Sequence, residues 1–189
     1  MKAPPPRDPR AGFTMIEVMV VALVIVALTA VALAPNRENP HRLVYHQAQQ
    51  LRARISEAVS RADGRGGDAL LLAHASSSGG SFLAASDTTG VQEAEIAGRE
   101  WMPLGAGTQW GAGSATTGPL GDSVGGVPRL VRCSAGHGCG VGARGALTYY
   151  ITHARDPSAV AAVVLTPDGI AHLYRYLPAA DAWSTEAPR

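Results

Sequence analysis

The chain has 189 residues, 46% apolar and 16% charged, with a formal net charge of +1, 22 glycines, 13 prolines and two cysteines. That charge balance excludes bulk electrostatic attraction to nucleic acid. The glycine and proline content excludes a plain helical bundle in favour of a loop-rich domain containing strands. Once the N-terminal segments are set aside, about 150 residues remain, enough for one core and one domain.

Residues 1–12 contain Pro4-Pro5-Pro6 and Pro9, which prevent a regular helix and leave a short flexible tail exposed to a peptidase. Seventeen residues without charge follow at 18–34, preceded by one carboxylate, Glu17. If residues 13–34 form one helix, it reaches about 33 Å, close to the ~30 Å hydrocarbon core of a bilayer. Three readings compete. A buried helix of a soluble domain needs a large core, and a chain with two phenylalanines offers little cover. A secretory signal peptide finds a basic start in Lys2, Arg7 and Arg10 and an A-x-A site at Ala32-Leu33-Ala34. Against it, the run exceeds the usual ~7 to 15 residues, Glu17 sits at its start, and Pro35 follows the cut directly.

The third reading accounts for what the others leave over. Gly12-Phe13-Thr14-Met15-Ile16-Glu17 followed by the apolar run resembles the prepilin leader of type IV pilins and type II secretion pseudopilins. The resemblance implies that a prepilin peptidase of the membrane cuts after Gly12, that Phe13 is N-methylated, and that residues 13–34 become the transmembrane and assembly helix. Glu17 matches the family's acidic residue, fifth after the cut. A carboxylate in such a helix costs up to about 3 kcal/mol, so it has a partner or a function. The resemblance implies the freed amine of Phe13, on a neighbouring subunit, as that partner; the plainer alternative is an interfacial Glu solvated by headgroups. Basic residues ahead of the helix hold the leader inside and send the globular part outward, so the expected location is the inner membrane with an extracytoplasmic domain. The part after Gly12 keeps 13 basic and 14 acidic side chains.

After the apolar run, Pro35 and Pro40 bracket residues 36–39, predicting a kink or melted turn. The helix is expected to resume near His41 as an amphipathic continuation over 35–63. Val44, Ala48, Leu51, Ile55, Ala58 or Val59, and Ala62 recur at helical spacing and form the core stripe. Gln49, Arg52, Arg54, Glu57 and Arg61 fall outside it, and Gly64, Gly66 and Gly67 end the helix. Residues 51–65 ahead of a β-rich domain are similar to minor pilins and to the pseudopilins called H.

Residues 64–189 read as the β-rich globular domain. Strand candidates are 69–75, 82–85, 91–97, 129–133, 146–152, 160–166 and 170–177. Thr166-Pro167-Asp168-Gly169 is a turn that makes the last two an antiparallel hairpin. Residues 101–126 read either as a long functional loop or as a misread strand. The expected fold class is α+β: one long N-terminal helix packed on an antiparallel sheet.

Cys133 and Cys139 lie six apart in a glycine-rich segment and are expected to form a disulfide in an extracytoplasmic domain. The rival reading makes Cys133, His137 and Cys139 metal ligands, but a zinc site needs a fourth that the sequence does not place. His153, Asp156 and Ser158 are catalytic residue types outside any recognisable nucleophile, zinc or phosphate motif, so no enzyme, cofactor or small-molecule substrate is expected. Arg129, Arg132, Arg144 and Arg155 occupy an acid-free segment and are candidate DNA contacts. The plainer reading is arginines solvated around a sheet edge. The alternative to a pilin-like subunit is a secreted or single-pass anchored binding domain with a conventional signal sequence.

Overall fold

The computed structural model describes residues 14–33, 39–76, 79–88, 101–105, 107–140 and 145–187. The chain divides into two compact units, Met1–Arg37 and Glu38–Arg189.

In the first unit, α1 runs Met15–Leu33, 19 residues without glycine or proline. Thr14 starts it: its hydroxyl oxygen accepts from the Glu17 amide at 3.3 Å, as an N-cap does. The Thr29 hydroxyl donates to the carbonyls of Ile25 and Val26 at 2.8 and 2.9 Å, so even this polar side chain is absorbed by its own helix. At ~1.5 Å per residue α1 is about 28 Å long. Among the described residues no helix is long and apolar enough to cross a membrane. Of the span expected over residues 13–34, the apolar helix is present over Met15–Leu33, while Phe13 and Ala34 lie outside the described residues.

The second unit opens with α2, Pro40–Arg65, capped by Asn39, whose side-chain oxygen accepts from the His41 amide at 3.0 Å. The helix expected to resume near His41 begins one residue earlier, at Pro40, because at the first helical position its missing amide costs nothing. The kink expected at residues 35–38 lies outside the described residues. Gly66 closes α2 in the left-handed conformation, and the Gly67 amide returns to the Ala62 carbonyl at 2.8 Å. The expected stripe is buried along its whole length, and Tyr45 joins it.

Among the described residues ten strands follow: β1 Asp68–Ser76, β2 Gly79–Ser86, β3 Met102–Pro103, β4 Thr108–Trp110, β5 Leu130–Ser134, β6 Gly138–Gly140, β7 Leu147–His153, β8 Asp156–Leu165, β9 Ala171–Leu177 and β10 Ala182–Ser184. They form two antiparallel sheets rather than the one expected, ordered β3-β2-β1-β5-β6 and β10-β9-β8-β7-β4. The α2 stripe packs on both: Leu71, Phe82 and Val131 meet it from the first sheet, and Tyr149, Ala161, Val163 and Leu173 from the second. Leu51 and Ile55 are fully buried between them, each contributing about 2 kcal/mol by area. The strand expected at residues 91–97 lies outside the described residues.

Within residues 101–126 the described residues include short strands of the kind the misread-strand alternative expected, together with a loop. These residues supply β3 and β4, and then a glycine-rich loop that covers the face of the second sheet away from α2. A side chain at Gly113 would come within 2.8 Å of Val160, and one at Gly118 within 2.7 Å of the Tyr150 hydroxyl, so the loop approaches this closely because both are glycine. The Trp183 indole donates to the Thr117 carbonyl at 2.8 Å. Asp181 accepts from both Tyr176 (2.6 Å) and Thr116 (2.7 Å), clamping the loop to the β9–β10 hairpin.

Candidate functional site

The N-terminal motif is seen from Thr14 onward; Gly12 and Phe13 lie outside the described residues. The Glu17 amide bonds to the Thr14 carbonyl at 2.9 Å, and its carboxylate stands in the first turn of α1, where the positive end of the helix favours it. Thr14 was quoted in the motif but not recognised as a cap. Its Thr-x-x-Glu spacing is a sequence signature of a helix start and carries that information. The apolar side chains between Met15 and Leu28 are 51–81% exposed where they are large.

Cys133 and Cys139 are joined, with an S–S distance of 2.02 Å, as directly opposed residues of the β5–β6 hairpin. With both thiols spent on each other, the metal reading loses two of its three ligands. Among the described residues no group of His, Cys, Asp or Glu side chains is placed to hold a metal. The bridge lies on one wall of a cleft of about 790 Å³ whose other walls are the last turns of α2, including Ser60 and Asp63, and the β8–β9 turn.

The arginines proposed to contact DNA have separate fates. Arg132 is engaged by Asp68, its guanidinium donating to the carboxylate at 2.9 Å. Hydrogen bonds from Ser134 and then Arg132 hold the Asp68 carboxyl below its ordinary range. Arg129 precedes β5 and Arg155 sits in the β7–β8 turn, both exposed, while Arg144 lies outside the described residues.

The catalytic residue types come together in a non-catalytic order. The Ser158 hydroxyl donates to Asp156 at 2.6 Å, and its amide donates to the same oxygen at 3.1 Å. The Nε2 of His41, a residue the sequence did not single out, lies 3.8 Å from the other oxygen. With the carboxylate in the middle, the serine proton points at Asp156 and no imidazole is placed to remove it, so the serine is not activated as a nucleophile. The bond from Ser158 foremost, and His41 among the lesser causes, lowers the Asp156 pKa.

No curated protein and no solved structure matches the chain. Residues 7–33 match the family model of the prokaryotic N-terminal methylation motif. The segment that ends in the Thr14-capped apolar helix therefore carries the type IV pilin and pseudopilin signature.

Proposed function

We propose that the chain is a structural subunit of a pilin-like filament, a minor pilin or pseudopilin of a type IV pilus, a type II secretion machine or a DNA-uptake machine. It is processed after Gly12, methylated at Phe13 and assembled with like subunits through the helix over residues 13–34. The observation that carries this reading is the methylation motif at residues 7–33. An apolar α1 whose large side chains between Met15 and Leu28 are more than half exposed, and a Ser-Asp-His cluster in the wrong order for catalysis, support a structural role over an enzymatic one. Glu17 is the counterion of the processed amine, and the second unit is displayed outside the inner membrane.

Mass spectrometry of the protein extracted from membranes tests this directly. The expected mature terminus is N-methylated Phe13. A start at Pro35 identifies a conventional signal peptide, and an intact Met1 a plain anchor; either result sinks the proposal.

A further inference from the structure

Main-chain geometry leaves a short stretch of β9 open on one side. The Thr166 amide donates to the Ile170 carbonyl at 3.0 Å, and the register continues with Val164 opposite His172 and Ala162 opposite Tyr174. Hydrogen-bonded pairs alternate along an antiparallel ladder, so Ile170, His172 and Tyr174 bond to β8 while the N–H and C=O groups of Ala171 and Leu173 point away from it. β10 pairs with β9 from Arg175 to Leu177. Beyond Ser184 the chain turns, the Glu186 amide donating to the Ser184 hydroxyl at 3.1 Å. The outward groups of Ala171 and Leu173 therefore have no partner strand among the described residues, at the edge of a sheet.

This edge opens into the cleft of about 790 Å³ beside the disulfide, which Ile170 and Ala171 help to line. Ile170 is apolar and 53% exposed. The ionisable side chains lining the cleft are Asp63, Asp168 and His137, so its charge is negative whether or not the imidazole is protonated. Arg65, which follows Asp63 on α2, is paired with Asp87. The negative end of a 26-residue helix adds to the same field. Past Leu173 the charges are one of each sign, Arg175 on β9 and Glu186 beyond β10.

We infer that the β9 edge at residues 171–173 and the adjoining cleft form a strand-addition site for an extended peptide segment of a partner protein, with a lysine or arginine side chain seated in the cleft. An added strand completes the ladder on the outward groups of Ala171 and Leu173. Its side chains alternate between the two faces of the sheet, so those on the α2 side meet the cleft, where Val59 offers apolar contact and Asp63 and Asp168 offer charge. Complementarity there selects a cationic side chain and rejects a carboxylate. A second copy meeting this edge with its own β9 is a poorer match, since it brings the same two carboxylates with it. Every residue of the site belongs to the second unit, so the inference does not depend on α1 or on how the chain is anchored.

The test uses the full chain in detergent micelles and a capped peptide of about eight residues, alternating valine and threonine around a central lysine, with hydrogen exchange of single amides read by NMR. With the peptide at about 1 mM, the amides of Ala171 and Leu173 should exchange at least about tenfold more slowly, while that of His172, already bonded to β8, should be unchanged. The same peptide N-methylated throughout, and one with glutamate in place of lysine, should each protect at least about fivefold less. Asp63→Asn combined with Asp168→Asn should erase the preference for lysine over glutamate. Ala171→Pro removes one outward donor at an edge position that tolerates proline, and should abolish protection at Leu173. No protection by the lysine peptide, or equal protection by the methylated one, overturns the site. Equal protection by the lysine and glutamate peptides overturns the cationic occupant and the proposal with it. Protection that rises with protein concentration in the absence of peptide assigns the edge to a second copy and overturns the proposal equally.

Discussion

The Cys139 amide donates to the Pro167 carbonyl at 2.8 Å, joining the edge of the first sheet to the β8–β9 turn of the second. Because Cys139 is also half of the disulfide, the covalent bridge fixes the strand that makes this junction. Replacing both cysteines by serine, or reducing the bridge, removes a crosslink closing a short loop and should lower unfolding free energy by about 2 kcal/mol. Urea denaturation with and without reductant measures it; an unchanged midpoint would show that the hairpin stays docked unaided.

Gly138 stands at the same junction. A Cβ there would lie 2.0 Å from the Pro167 carbonyl oxygen, at a φ of +80°, whereas Gly136 in the same turn has a similar φ and open space. Gly136→Ala should therefore cost about 1 kcal/mol, from backbone strain alone. Gly138→Ala should cost clearly more and expose the disulfide to reductant. Thermal melts of the two variants and their rates of reduction compare them directly.

Two buried tyrosines predict effects of different size. The Tyr149 hydroxyl is buried with no hydrogen-bond partner among the described residues, and burial raises its pKa. The Tyr176 hydroxyl donates to Asp181 at 2.6 Å. Tyr149→Phe should be neutral or stabilising, since it removes an unmet polar group, and Tyr176→Phe should cost about 1 to 2 kcal/mol. Equal losses in denaturation experiments would contradict the assignment.

Acid stability follows from the aspartates. Asp68, Asp156 and Asp181 are held below the usual carboxylate range, first by bonds from Ser134, Ser158 and Tyr176 respectively. Depressed folded-state values mean stabilisation that is complete above the unfolded value and is lost as pH falls through the folded ones. Unfolding free energy should thus be flat near pH 6 and fall below about pH 4. Asp68→Asn should flatten that acid limb, and a pH series of urea titrations reads the slope.

On the proposed reading, Glu17 serves assembly and Thr14 serves folding. Glu17→Ala should abolish incorporation into filaments while leaving the melt of the second unit unchanged. Thr14→Ala should weaken only the start of α1, by about 1 kcal/mol. Shearing filaments and counting subunits, beside circular dichroism of the same variants, distinguishes the two; wild-type incorporation of Glu17→Ala would remove the charge-pair account.

What the sequence made legible is what repeats. The stripe from Val44 to Ala62 recurs over five turns, and β1, β7, β8 and β9 are long enough to show apolar runs bounded by turn residues. β4, β6 and β10 have three residues each, too few for any period, and β6 is Gly-Cys-Gly, which has no strand propensity of its own. They exist because a neighbouring strand offers a ladder: Cys139 pairs with Cys133, and Trp183 with Tyr176. The division into two sheets was equally hidden, since it depends on which strands are adjacent. In the site, the Glu17 motif was readable because its spacing is local, while the pairing of His41 with Asp156 joins residues more than a hundred positions apart.

One helix gripped by two sheets has a mechanical corollary. A pull entering at Pro40 runs along the axis of α2, and the side chains from Val44 to Ala62 must slide past both sheets together before any of them is freed. Such a joint fails in shear, with many small contacts yielding at once, rather than peeling open one residue at a time. Were the chain assembled as proposed, load would enter through this helix, and that geometry would spread it over both sheets.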